Sequence, residues 1–161
     1  MNYTLIRSAI DKKETQSIYD SLVTELKWSD GIKTRHGDFT RLAHQMSTYD
    51  ALFFMEGKII TIIEKTLLAN PQYANHAIAG LYFNYYKDGD MYCPVHRHPH
   101  TTQLVISLGA TRTFILGSIK IQVNDGDIII FNDQLHGVPK EKTECDGRIS
   151  VATFLVPIKG G

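Results

Sequence analysis

Between residues 78 and 156 the chain is divided into six short β-rich runs, at 78–86, 102–108, 112–116, 119–123, 128–131 and 149–156, separated by Gly, Asp and Asn turns. The intervals are too short to hold crossover helices, so the strands have to pair antiparallel and close as a jelly roll or barrel. Two helical patterns precede them. The first, from Asp11 to about residue 26, aligns Ile18, Tyr19, Leu22, Val23 and Leu26 on one face, with Asp11 and Glu14 suited to cap its first turn. The second, from about 49 to 69, uses Leu52, Phe53, Ile59, Ile60, Ile63 and Leu67, is weakened in its middle by Gly57, and ends at Asn70-Pro71. Residues 28–49 keep no steady period and read as loops and short strands. The expectation is a mainly β, α+β domain: a jelly roll with two N-terminal helices packed on one outer face.

Composition narrows the class. The 161 residues hold 17 Lys+Arg against 17 Asp+Glu and 43% apolar side chains, without an apolar run near the roughly 18 residues of a membrane span. This predicts a single globular domain, residues 1–161, with the helices in 1–77 and the jelly-roll core in 78–158, and no membrane partner. The balanced charge argues against nonspecific coating of nucleic acid, while leaving room for a pocket that takes one nucleotide. Two cysteines, Cys93 and Cys145, outside any C-x-x-C pair, exclude a disulfide framework or a cysteine-rich zinc module and fit a reducing compartment. The first residues, Met1-Asn2-Tyr3-Thr4-Leu5-Ile6-Arg7, lack the apolar core of a secretory signal, so the expected location is cytoplasmic.

The chemistry is concentrated in histidine. Three of the seven histidines stand in Val95-His96-Arg97-His98-Pro99-His100, where alternate residues of an extended segment share one face. A single histidine here would be an ordinary solvated loop residue. A remote partner changes that: His136 lies in the loop 134–139 that follows the tight turn Asn124-Asp125-Gly126 and a buried strand over 127–131. A jelly roll brings that loop back beside the first histidines. Two histidines at i and i+2 plus a distant third can hold one face of a divalent metal and leave positions open for substrate and oxygen.

The order of motifs resembles the AlkB-like iron(II)/2-oxoglutarate dioxygenases. Asn84-Tyr85-Tyr86-Lys87-Asp88-Gly89 is followed by His96-Arg97-His98, by Ile106-Ser107-Leu108-Gly109 with Arg112 and Phe114, by Gly126-Asp127, by His136 and by Arg148-Ile149-Ser150. Family members read N-x-Y-x-x-G, H-x-D, I-S-L-G, G-D, a distal H and R-x-(N/S) in that order. The resemblance implies a double-stranded β-helix that binds Fe(II), 2-oxoglutarate and molecular oxygen and hydroxylates or demethylates a nucleobase or nucleic acid. It implies His96 and His136 as metal ligands, Arg148 as the grip on the distal carboxylate of 2-oxoglutarate, and Asn84, Tyr86 and Ser150 as its hydrogen-bonding neighbours. Guanidinium and carboxylate match as a bidentate pair, which makes the role of Arg148 chemically apt. Arg112 reads as a residue of the sheet surface. Thr34-Arg35-His36-Gly37-Asp38-Phe39 loosely resembles the family's nucleotide-recognition lid, and His36, Phe39, Arg41, His44, Tyr82 and Tyr92 are candidate base contacts.

The chain departs from that pattern twice. His98 stands where the family places its metal-binding carboxylate, so the expected metal set and catalytic centre is His96, His98 and His136, with one negative charge fewer at the metal. Phe154 stands where the family has a further arginine. The three-histidine set also fits a cupin-type metalloenzyme, in which Gln103 falls at the usual Glu position. That alternative assigns no role to the pairs Asn84/Tyr86 and Arg148/Ser150. A non-catalytic jelly-roll binding module is the third reading.

Overall fold

A computed structural model describes residues 2–31 and 40–158. The segment 34–39, with His36 and Phe39, lies outside the described residues.

The elements are β1 (Tyr3–Ile6), α1 (Lys12–Glu25), β2 (Ser29–Asp30), β3 (Leu42–Met46), α2 (Thr48–Phe53), α3 (Lys58–Leu68), β4 (His76–Tyr86), β5 (Cys93–His96), β6 (Thr102–Gly109), β7 (Arg112–Leu116), β8 (Ile119–Val123), β9 (Ile128–Phe131), β10 (His136–Val138) and β11 (Arg148–Pro157). They form a seven-stranded sheet, ordered β1-β9-β6-β11-β4-β3-β2, and a four-stranded sheet, ordered β5-β10-β7-β8. The pairings are antiparallel, as the short connections require. The fold expected from strand spacing is the one observed.

Side-chain alternation divides the interior into two layers. On the outer face of the large sheet, Leu81, Phe83, Leu104, Ile106, Leu108, Ile149 and Val151 pack against Ile18 and Leu22 of α1 and Ile59, Ile60 and Ile63 of α3. On its inner face, Tyr86, Val105, Ile129, Phe131 and Ala152 meet Phe114, Leu116, Ile121 and Val123 of the small sheet. β9 and the centres of β6 and β11 are therefore buried on both faces and read as nearly continuous apolar runs.

Helix α1 begins where expected, with Asp11 accepting from the Glu14 amide at 2.8 Å. The second helix is not continuous. It breaks at Phe54–Gly57, where Met55 (φ 51°), Glu56 (φ 57°) and Gly57 (φ 72°) are successively left-handed, a run that no α-helix contains. A Cβ at Gly57 would lie 2.9 Å from the Leu52 carbonyl oxygen. The break lets the isoleucines of α3 face the sheet, while α2 buries only Ala51 and leaves Leu52 and Phe53 exposed. Among the described residues no helix is long and apolar enough to cross a membrane.

The turn between β8 and β9 forms as expected and ties the layers together. Gly126 adopts φ 86°, a Cβ there would meet the Ile10 carbonyl oxygen, and its amide donates to Ser107 O at 2.8 Å. Asp125 accepts from the Gly109 amide at 2.9 Å and from the Thr15 hydroxyl at 2.7 Å, linking β6 and α1. Arg112 is not a surface residue: it is fully buried, donating to the carbonyls of Met91 at 2.7 Å, Pro139 at 2.9 Å and Asp88 at 3.2 Å. Two of these carbonyls belong to the β4–β5 connection and the third follows β10, so its fork of donors clamps the two segments together.

Candidate metal and dicarboxylate site

The residues after Gln134 do not stay a loop. Residues 136–138 become β10, inserted between β5 and β7, and His136 pairs directly with His96 across the small sheet. His98 lies just past the end of β5, and the imidazoles converge: the ligand atoms of His96, His98 and His136 lie within 4.8 Å of one another. His96 Nε2 is 3.1 Å from His98 Nε2. Metal–nitrogen bonds of about 2.1 Å place neighbouring ligands of one ion roughly 3 Å apart. His100 is not part of the cluster. The strand ends at His96, His100 turns through φ 61° and faces solvent, so alternation does not carry to the third histidine of the run.

Backbone carbonyls prepare two of these rings for a metal. Nδ1 of His96 is 2.8 Å from Pro94 O, and Nδ1 of His136 is 3.0 Å from Gln134 O. Each carbonyl calls for the proton on Nδ1, which leaves the Nε2 lone pair free and fixes the ring orientation. Burial holds His136 neutral, lowering its pKa to about 4 against the Gln134 carbonyl. His98 is also lowered, by burial first and then by the charge of His96. His96 is raised, chiefly by its contact with the Cys93 thiol, whose sulfur lies 3.7 Å from Nδ1. The three-nitrogen donor set fits a divalent first-row metal such as iron(II).

The histidines open on a cavity of ≈ 510 Å³ between the two sheets. At the other end of the same cavity lie Asn84, Tyr86, Arg148 and Ser150. The register explains their meeting: Arg148 pairs with Tyr86 and Ser150 with Asn84, and all four point to the inner face. Arg148 is 1% exposed, its Nη2 donates to the Ser107 hydroxyl at 2.9 Å, and its Nε and Nη1 have no hydrogen-bond partner among the described residues. An unsatisfied buried guanidinium is costly, and burial already lowers its pKa. Such donors facing a cavity fit a carboxylate. The guanidinium carbon also stands 5.5 Å from the centre of the Tyr86 ring, and burial raises the Tyr86 pKa, keeping its hydroxyl protonated.

Of the candidate base contacts, Tyr82 and Arg41 line the cavity. His44 does not: it packs on Phe83 at the outer face and contacts Lys27 O at 2.9 Å. Tyr92 lies outside the lining as well, beside Lys140. Sequence reading overlooked Cys93, and it considered Arg41 only as a base contact and Gln103 only by analogy. Gln103 is 3% exposed with its amide 3.5 Å from His136 Nε2. The signal for Gln103 was present: it is a polar residue opening a run of four apolar positions and Ser107 that is buried throughout.

No protein-family model matches the sequence, and no curated protein matches it. Solved structures do. The chain is similar to OsALKBH1 (TM-score 0.69, 13% identity, spanning 94% of this chain and 96% of that one). It is similar to the non-heme alpha-ketoglutarate-dependent epimerase SnoN from nogalamycin biosynthesis (TM-score 0.74, 7% identity, 96% and 78%). It is also similar to HygX from Streptomyces hygroscopicus, solved with nickel and 2-oxoglutarate bound (TM-score 0.71, 11% identity, 96% and 82%). The chain thus has the double-stranded β-helix fold found in 2-oxoglutarate- and iron(II)-dependent oxygenases.

Proposed function

We propose that this protein is an iron(II)- and 2-oxoglutarate-dependent oxygenase of AlkB-like type. The observation that carries the reading is the pairing, in one cavity, of a convergent three-histidine cluster with a buried arginine whose Nε and Nη1 lack partners among the described residues. Nε2 of His96, His98 and His136 would hold the metal, with the Pro94 and Gln134 carbonyls orienting two of the rings. Arg148 would take the far carboxylate of 2-oxoglutarate, with Tyr86, Asn84 and Ser150 completing its hydrogen bonds. Val105, Phe114, Val138 and Ala152 give the same cavity apolar walls. When bound, iron(II) and 2-oxoglutarate supply an oxidative decarboxylation coupled to hydroxylation of a substrate C–H bond.

The substrate of this reading is a methylated nucleobase, released as base and formaldehyde after hydroxylation of an N-methyl group. It is supported by the aromatic rings of Tyr82 and Phe154 in the cavity wall, the latter 5.3 Å from the His98 ring, which give a planar base faces to stack on.

Succinate formation from 2-oxoglutarate by anaerobically iron-loaded protein exposed to oxygen tests the reaction, and formaldehyde release from methylated nucleosides tests the substrate. A parallel His98→Asp variant separates a retuned site from an unsuitable one. Turnover by the natural chain supports the reading; silence from both proteins despite bound iron refutes it. A second reading, a three-histidine cupin-type enzyme without 2-oxoglutarate, is favoured by Gln103 beside His136. It expects Arg148→Ala to retain metal-dependent activity, whereas the oxygenase reading expects a severe loss of 2-oxoglutarate turnover.

A further inference from the structure

The cavity contains a second guanidinium. Arg41 precedes β3, is 6% exposed and lines the same space as Arg148. Its Nε donates to Asn84 Oδ1 at 2.7 Å and its Nη1 to the Thr40 hydroxyl at 3.1 Å. Asn84 in turn donates to the Ser150 hydroxyl at 3.4 Å.

Both arginines hydrogen-bond to one row of the sheet. Ser107, Ser150 and Asn84 are direct partners across β6, β11 and β4, each pair of strands about 4.8 Å apart. Arg148 is anchored on Ser107 at one end of this row and Arg41 on Asn84 at the other, with Ser150 between them. Ser150 accepts from Asn84, which leaves its own proton free to be donated. None of the described residues lining the cavity is Asp or Glu, and neither arginine makes an ion pair among the described residues. Burial and the charge of Arg112 both act against the charged form of Arg148, Arg41 is buried as well, and an anion seated over Ser150 would offset the desolvation of both guanidiniums.

We propose that Arg41 and Arg148 form a two-guanidinium clamp, closed by Ser150, for the metal-distal carboxylate of a dicarboxylic 2-oxo acid. This rests on the oxygenase reading and adds to it: Arg41 is a binding residue that makes the cavity choose a dicarboxylate over a monocarboxylate of equal length. The two arginines approach the carboxylate from opposite sides, so each takes a different oxygen lone pair and Asn84 acts by aiming Arg41.

The test is calorimetric binding to the zinc-loaded full chain under nitrogen, where no turnover occurs, comparing 2-oxoglutarate with 2-oxopentanoate, which lacks the far carboxylate. The natural chain should prefer 2-oxoglutarate. Arg41→Met should weaken 2-oxoglutarate binding roughly ten- to a hundredfold, the loss of a charge-assisted hydrogen bond, and change 2-oxopentanoate binding less than twofold. Arg41→Lys, which keeps the charge without the fork, should lie between. Thermal melts of each variant confirm that it is folded. Unchanged 2-oxoglutarate affinity in Arg41→Met, or equal losses for both acids, would overturn the clamp while leaving the oxygenase reading intact. Failure of the zinc-loaded natural chain to bind 2-oxoglutarate would overturn both.

Discussion

His136 and His96 are cross-strand partners, facing each other on β10 and β5 although forty positions separate them in the chain. The convergence of the histidine cluster is therefore a property of strand pairing, and only His98 is contributed from beyond a strand end. Because both paired rings are oriented by carbonyls of their own strand ends, the site is organised before any ion arrives.

A preorganised site predicts stabilisation by metal. Cobalt(II) or iron(II) at a hundred times its dissociation constant should stabilise the fold by about 2.7 kcal/mol, read as a rise in the thermal midpoint. His136→Ala should abolish that rise. A rise that persists in the variant would place the metal elsewhere.

Arg148 is expected to oppose folding in the ligand-free protein. Arg148→Met keeps the apolar stem, removes a buried unpaired charge, and should raise the stability of the metal-free chain by about 1–3 kcal/mol while eliminating 2-oxoglutarate binding. Denaturant melts and calorimetry on the same variant check both halves. A clear drop in stability would mean that the guanidinium is satisfied without a ligand.

The inner core depends on β9. Ile129 is 1% exposed among Tyr86, Val105 and Phe131, and Ile129→Asp should destabilise the protein by about 4 kcal/mol, the upper range for a buried disruption. An unchanged thermal midpoint would contradict the strand's position between the sheets.

Acid should weaken the metal-free protein. His136 has a pKa of about 4 when folded and its ordinary 6.5 when unfolded, so between those values the unfolded chain binds the extra proton. Stability then falls as pH drops from 6.5 towards 4, by about 3 kcal/mol from this residue alone. His98 is lowered and acts in the same direction, whereas His96 is raised and partly offsets them. Melts of chelator-treated protein across this range measure the slope, and His136→Asn should flatten it.

Local pattern alone determined much of this protein. Alternating and continuous apolar runs marked β4, β6, β7, β8, β9 and β11, Asp11 marked the start of α1, and Asn124-Asp125-Gly126 marked a turn, because each depends on backbone preferences within a few residues. The i, i+2 spacing of His96 and His98 with the remote His136 suggested a shared metal site, and the resemblance to AlkB-like dioxygenases implied Arg148 and Ser150 beside it. Tertiary structure decided the rest. β5 and β10 are four and three residues long with polar members, too short to announce themselves, and exist because each pairs with the other. The break at Phe54–Gly57 arises because α3 must turn its isoleucines to the sheet. The exclusion of His100, the burial of Arg112 and the arrival of Arg41 on Asn84 follow from how distant segments meet in the barrel. Pairing between strands far apart in sequence is set by packing of the whole barrel, and no window of sequence contains that information.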